Sequence, residues 1–414
     1  MSLIRAIMVD KRIVSTTPMR LSSFSARPGR RRSLPMARNR LMRTCARRKN
    51  VREQAPDYRR LRGMVGTTHD DPSPRRQLAD IQRIDDDQGW GFVACCDIAE
   101  SQTLVSVPLS ETIMGIDDAG MEPWNVQMVE QLLQRLYGGT AEPWMDALPA
   151  HVDLPFLYWD DEDIARLGDP AIIAEIVTLR DFCGSSGVRA YMSGYDWEDV
   201  LWGFSLVHSR SFVYSEGKHL FSPLIDMANH DDAPNATVKL THSPDRCQGQ
   251  VATDEIAPRP PRPTPASSGV FELFATRDIA AGEQCTISYG AHPNDVLLLY
   301  FGFALPSNEN DAITVTIEDL QAVEGFTDTD EAGGDDRFII TWQGVDPRLL
   351  ERVVSPTALA ELCRWKLDQF LDIERRESDA DLEPGCKDRR RAAACYRRSK
   401  IELLQNAVAS LSEA

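Results

Sequence analysis

Short apolar runs separated by polar turns recur at two distant places in the chain, with helical periodicity between and after them. Phe92-Val93-Ala94 and Leu104-Val105-Ser106-Val107 flank a charged middle, which predicts two strands and a turn between Trp90 and Pro108. The form returns where Phe274-Ala275-Thr276 leads through Arg277-Asp278-Ile279-Ala280 and Gly282-Glu283 to Cys285-Thr286-Ile287-Ser288-Tyr289. Both pieces read strand, Asp-Ile-Ala, turn, strand, so the pattern predicts two hairpins of one design in a β-rich core assembled from distant parts. Between them, Val129, Leu132, Leu133 and Leu136 keep i, i+3, i+4, i+7 spacing, and Gly138-Gly139 supplies a stop. Further helices are expected near 160–167, 171–183 and 196–207, so residues 116–205 read as a helical insertion between β segments. The proline-rich run 258–269 removes ladder donors and is expected as an exposed loop, joining a strand near 250–253 to one beginning at Val270. After Pro306 the pattern turns helical. Leu362, Trp365, Lys366, Gln369 and Phe370 give a mixed face, and Leu404, Ala407, Val408 and Leu411 an apolar stripe.

Length and charge divide this picture further. A chain of 414 residues exceeds the span over which one core usually grows, which predicts two domains. The net charge of -17 is uneven: residues 1–62 hold 18 of the 46 Lys and Arg but only Asp10, Glu53 and Asp57 of the 63 acids. That leaves a body of 28 basic and 60 acidic residues, near -32, which phosphate backbones repel, so nucleic acid is not an expected partner. A basic protein surface is a more natural one. The Arg- and Ser-rich first 62 residues have the composition of an organelle transit peptide, chloroplast before mitochondrion, with a basic arm in a cytoplasmic protein as the alternative. No segment reaches the roughly 18 apolar residues of a membrane span, so a soluble protein, monomeric in the simplest reading, is expected. The nine cysteines form no CxxC pair and the histidines lack metal-ligand spacing, so no metal site is expected.

By its residues alone, Asn229-His230-Asp231-Asp232-Ala233-Pro234-Asn235 is a polar turn between apolar Leu224-Ile225 and the strand-like Ala236-Thr237-Val238. Loops of this kind often carry binding residues, but more often they only connect. Tyr289, taken alone, is a half-buried strand tyrosine.

The order of motifs adds more. Gly89-Trp90-Gly91, Ser209-Arg210-Ser211-Phe212, Asp226-Met227-Ala228-Asn229-His230 with Pro234-Asn235, Gly282-Glu283 and Ser288-Tyr289-Gly290 follow one another in a series that resembles the SET-domain methyltransferases. The resemblance is to the branch of the plant RuBisCO large-subunit lysine methyltransferase and the actin-histidine methyltransferase, and it covers roughly residues 80–414. Trp144 to Pro149 with Leu154-Pro155 and Trp159 looks like that branch's insert. Gly302-Phe303, Asn308, Asn310, Asp311 and the Tyr396-Arg397-Arg398 helix look like its C-terminal domain.

The resemblance implies an α+β fold: a SET domain over 80–306 with a β-rich core of small sheets and a helical insertion, then an all-α substrate-binding domain over 307–414. It implies methyl transfer from S-adenosylmethionine, held in a pocket without the GxGxxG turn of dinucleotide folds, to a lysine of a non-histone protein. Histidine as target, or a catalytically silent binding module, are the alternatives. Gly89, Trp90 and Gly91 would lie at the methionine part of the cofactor, where Trp90 either stacks or packs. Arg210 would face the cofactor carboxylate, Asn229 and His230 would meet the amino-acid end and the adenine, Asp226 would also bind the cofactor, and Tyr289 would be both the catalytic tyrosine and a cofactor contact. Phe301 and Phe303 would line the substrate channel. At position 301 the branch usually carries Tyr, so a ring is kept and a hydroxyl lost, with Tyr300 one step earlier on the opposite side.

Overall fold

The computed structural model describes residues 78–413, except 86–88, 119, 139–142, 150–151, 243–268, 326–336, 354–355 and 377–386. The basic segment 1–62, the strand expected near 250–253 and nearly all of the proline-rich run lie outside the described residues.

Among the described residues, four small sheets build the β part. Strands β1 (Ala79–Arg83) and β2 (Trp90–Ala94) pair antiparallel, β2 pairs antiparallel with β10 (Gln284–Ile287), and β10 runs parallel to the two-residue β7 (Asn229–His230). A second sheet orders β3 (Thr103–Pro108), β9 (Gly269–Ala275) and β8 (Ala236–His242). A third joins β4 (Ile113–Ile116), β6 (Lys218–Phe221) and β5 (Phe212–Ser215).

The two repeated pieces are strands as expected, but neither closes into a hairpin on itself. Each gives one strand to the first sheet and one to the second, and the pieces pair with each other: Val93 lies opposite Gln284, and Thr103 opposite Phe274. Their middles interlock reciprocally. Ile98 and Ile279 exchange both backbone hydrogen bonds, while Asp278 accepts from the Glu100 N–H at 2.9 Å and Asp97 from the Ala281 N–H at 3.0 Å. The turn lengths do not force hairpins, because each charged turn finds its partner in the other copy.

Between β4 and β5 lies the expected helical insertion. Helix α1 (Trp124–Gly138) buries Val126, Val129, Leu132 and Leu133. Five further helices follow: α2 (Pro143–Ala147), α3 (Pro155–Tyr158), α4 (Asp161–Ala165), α5 (Pro170–Gly184) and α6 (Ser186–Tyr191). The insertion ends in α7 (Trp197–Arg210), which packs on α1. Capping sets the starts: Asp160, Asp169 and Asp196 each accept a backbone N–H of the first turn, and Pro170 occupies a first-turn position where no donor is missed.

Beyond β10, helix α8 (Asn294–Val296) widens into a π turn, Leu297–Phe301, that ends on left-handed Gly302. The following region is not all helix. Strands β11 (Ala312–Val315), β12 (Phe338–Thr341) and β13 (Gly344–Val345) form a fourth, antiparallel sheet. The β-branched runs Ala-Ile-Thr-Val and Phe-Ile-Ile-Thr explain it, since alternate side chains Ile313, Val315, Phe338 and Ile340 are buried. Short helices α9 (Ile317–Gln321) and α10 (Pro347–Leu350) flank it, and the long pair α11 (Pro356–Arg376) and α12 (Lys387–Glu413) closes the chain as predicted. Among the described residues no helix is long and apolar enough to cross a membrane.

Candidate active site

The parallel pairing of β7 with β10 creates the site. Because His230 lies opposite Ile287, Tyr289 emerges two residues further on, on the side of His230. Parallel neighbours need a long crossover, supplied here by the loop 231–235 and the β8–β9 ribbon. Asn235 fixes the loop: its Oδ1 accepts from the Thr286 N–H at 2.8 Å, and its Nδ2 donates to the Gln284 carbonyl at 2.7 Å and to Glu283 Oε1 at 3.1 Å.

The approach to β7 is strained. Leu224 has φ 68° and ψ -53°, and the Ile225 N–H closes a three-residue turn on the Pro223 carbonyl at 2.8 Å. Such a γ-turn at a non-glycine residue costs on the order of 1–3 kcal/mol. Burial of the Leu224 side chain offsets that cost, and the turn sends Ile225–Met227 across the site as a single 3-10 turn.

Tyr289 sits at the convergence. Its hydroxyl donates to the Ala228 carbonyl at 3.0 Å, and its backbone N–H donates to His230 Nδ1 at 3.1 Å. Burial pushes the phenol up to about 12, with Arg210 opposing and Asp226 adding, so it stays protonated near neutral pH. Phe301 packs 4.9 Å from the Tyr289 ring and Phe303 6.4 Å from it, with Phe303 6.1 Å from His230. The π turn separates neighbours in sequence: Phe301 joins this aromatic wall, whereas buried Tyr300 stacks on His208 in the core, 5.7 Å away.

Behind Tyr289, Arg210 at the C-terminus of α7 pairs with buried Asp226 at 2.8 Å and also donates to the Asp226 carbonyl at 3.2 Å. The guanidinium is therefore committed at Nη1, and Asp226 is a neutralised support within the site.

On the other side lies the Gly89-Trp90-Gly91 turn. Gly89 takes φ 68°, and its carbonyl accepts from the Ile84 N–H at 2.8 Å. A Cβ on Gly91 would stand 2.6 Å from Asn229 Nδ2 and 3.0 Å from Gln284 Nε2. Both amide nitrogens are buried and have no hydrogen-bond partner among the described residues. Two unsatisfied donors converging over a residue without a side chain form a cradle for a ligand rich in acceptors, such as a carboxylate or a ribose. S-adenosylmethionine has both groups, so these residues fit it. Trp90 is half-buried against the core.

Gly89, Trp90, Gly91, Arg210, Asp226, Asn229, His230, Tyr289, Phe301 and Phe303 are thus gathered around one region, although they come from strands, helix ends and loops spread over more than 200 positions of sequence. Sequence reasoning missed Gln284, hidden as an ordinary polar strand residue, and His292, a buried ring 6.3 Å from Phe301. Among the described residues no cluster of His, Cys, Asp and Glu is arranged to hold a metal.

The sequence profile of the SET domain matches residues 89–290, the span from the glycine turn to the residue after Tyr289. The chain carries a SET domain. Its curated relatives include the chloroplastic ribulose-1,5 bisphosphate carboxylase/oxygenase large subunit N-methyltransferase of Nicotiana tabacum, 23% identical over 284 residues, covering 62% of this chain and 52% of that one. The chloroplastic fructose-bisphosphate aldolase-lysine N-methyltransferase of Arabidopsis thaliana is 23% identical over 56% of this chain and 49% of its own. The actin-histidine N-methyltransferase of Canis lupus familiaris is 22% identical, over 56% and 41%. The chain thus spans about half the length of the curated relatives it matches. In fold, it is similar to the SET domain of LSMT solved with lysine and AdoHcy, with TM-score 0.58 and 16% identity over 90% of this chain and 92% of that one. The likeness extends beyond residues 89–290, since it covers 90% of this chain.

Proposed function

We propose that this chain is a protein-lysine methyltransferase that transfers a methyl group from S-adenosylmethionine to a non-histone protein, and that it works in the chloroplast stroma. The observation that carries the reading is the convergence on Tyr289 of the glycine cradle, the β7 strand and an aromatic wall. The chloroplastic relatives and the transit-like basic segment support the location.

When bound, S-adenosylmethionine would supply an electrophilic methyl group: the neutral amine nitrogen would bond to the methyl carbon in line as the carbon–sulfur bond breaks and the thioether leaves. Gly91 leaves room for the Asn229 and Gln284 amides that stand over it, and their Nδ2 and Nε2 would donate to the acceptors of the cofactor. Tyr289 acts as a neutral hydroxyl anchored on Ala228, orienting the amine through its oxygen and not abstracting a proton. A free lysine has a pKa of roughly 10.4, and the wall of Phe301 and Phe303 excludes water and favours the neutral amine. The amine therefore releases its proton to solvent before transfer, and no strong base is needed in the site.

Purified protein supplied with tritiated S-adenosylmethionine and desalted chloroplast stromal protein should label an acceptor. Tyr289→Phe, which keeps the ring and removes the hydroxyl, should lower kcat about 100-fold or more, in the range seen when one positioned donor is lost. Mass spectrometry of the acceptor should place the methyl group on lysine. Methyl-histidine instead would move the chain to the other activity named among its relatives, and full labelling by the Tyr289→Phe variant would remove Tyr289 from the mechanism.

A further inference from the structure

We propose that His230 is a positioning residue for Tyr289, holding its backbone through a bare Nδ1 and releasing it when that nitrogen gains a proton. The inference rests on the methyltransferase reading for its consequence, but on geometry alone for its hydrogen bonds.

A ring nitrogen that accepts a hydrogen bond carries no proton, so the Tyr289 N–H pointing at Nδ1 from 3.1 Å fixes the proton of the neutral ring on Nε2. Nε2 in turn lies 3.3 Å from Asp232 Oδ1, where its N–H donates to a carboxylate. The His230 side chain is only 7% exposed while that of Asp232 is 64% exposed, so a buried ring is tethered to a solvent-facing acid. The charged and titratable groups facing it are Asp232 and Asp231 from the loop after β7 and the Tyr289 phenol from the segment after β10. The Ile287 carbonyl, which accepts from the ring and favours its protonated form, and the Phe303 ring complete the surroundings. Burial draws the His230 pKa down, against the pull of Asp232 and Asp231.

The sign follows. Above that pKa the ring is neutral and Tyr289 is held. As pH falls through it, Nδ1 acquires a hydrogen that meets the Tyr289 N–H donor to donor, and the bond is lost. Misplacing a catalytic group by about 1 Å costs on the order of 100-fold in rate. Titration of the target amine gives its own loss of rate in acid, so the two protons add below the His230 pKa.

Two measurements test this on the full chain. Long-range nitrogen-proton correlation spectra of histidine-labelled protein should show His230 with Nδ1 bare and Nε2 protonated near neutral pH, and the Tyr289 amide shift should titrate with the ring. An Nδ1–H tautomer would overturn the proposal whether or not the chain transfers methyl groups. Rates with tritiated S-adenosylmethionine and stromal protein should fall in acid with slope two for the natural chain and slope one for His230→Asn, whose Oδ1 accepts in the place of Nδ1 without titrating. His230→Ala should lose about 10- to 100-fold in kcat with KM for S-adenosylmethionine within about threefold, and His230→Asn should recover at least about fivefold of that loss. Equal slopes in all three, or no recovery by Asn, would overturn it. Absence of any transfer by the natural chain would sink the proposed function instead, leaving the spectra to decide the hydrogen bond.

Discussion

Asn235 shows how much one side chain can do at a site it never enters. Its amide satisfies one backbone N–H and one backbone C=O of β10 and reaches Glu283, and it is 2% exposed. Asn235→Ala leaves the Thr286 N–H buried and unsatisfied, so it should destabilise the fold by about 2–4 kcal/mol in denaturant titration. Asn235→Asp keeps the acceptor but replaces the donating Nδ2 by an oxygen that faces Glu283 and the Gln284 carbonyl, and should be no better tolerated. The sequence made this stretch legible as a polar turn and, through the order of motifs, as a neighbour of Tyr289. It could not show that Asn235 and His230 act on residues more than 50 positions away, because that contact depends on a parallel register that local pattern does not encode. Tyr289 was legible for the same reason of order, whereas Gln284 was not, since nothing separates it in sequence from a solvent-facing strand residue.

Among elements, the turn ending on Gly302 sets the aromatic wall. The Gly302 N–H closes on the Leu298 carbonyl at 3.1 Å with φ 81°, and a Cβ there would stand 3.3 Å from the Asp153 carbonyl. Gly302→Ala should therefore cost about 1–3 kcal/mol by thermal or chemical unfolding and should weaken substrate turnover through displacement of Phe301 and Phe303. Helix existence was well legible: apolar spacing marked α1, and the three aspartate caps mark starts within a residue or two of those predicted. Strand partners were not. The repeated strand, Asp-Ile-Ala, turn, strand pattern was read as two hairpins, whereas each turn is satisfied by the other copy, and periodicity identifies a strand without naming its neighbour. The fourth sheet was missed because Ile313 to Val315 and Phe338 to Thr341 are short and stand in a region dominated by helical spacing.

For the whole molecule, a buried ionic cluster joins the C-terminal helix to the segment after Tyr289. Lys400 is fully buried, pairs with Asp295, and reaches Asp311 at 2.8 Å. Tyr396 donates within the same cluster, 3.0 Å from Asp169 and 2.9 Å from Asp295. Burial pulls the Lys400 ammonium down, but Asp295 and Asp311 outweigh it and hold the pKa above the ordinary value. Removing the cation strands the carboxylates, so Lys400→Met should destabilise by about 3–5 kcal/mol, and adding Asp311→Asn should recover part of the loss in a double-mutant cycle. Acid should weaken the fold through a different group. His208, buried among Trp124, Phe156, Phe204 and Tyr300, has its pKa lowered from 6.5 to about 3, by burial first and His219 second. A depressed histidine contributes stability that is complete above the unfolded value and is lost as pH falls, because the unfolded chain takes up the proton first. Unfolding free energy should thus drop by up to about 1.4 kcal/mol per pH unit between 6.5 and 3, and His208→Phe should flatten that slope by one proton.

The proposed cofactor site is tested at Gly91, where the Asn229 and Gln284 amides meet. The most direct measurement is calorimetric titration of the purified chain with S-adenosylmethionine. One equivalent should bind, and Gly91→Ala, which drives a methyl group against Asn229 and Gln284, should weaken binding at least about tenfold while the protein remains folded. No binding heat from well-folded natural protein, or equal affinity in the Gly91→Ala variant, would contradict the assignment of the cofactor to this site.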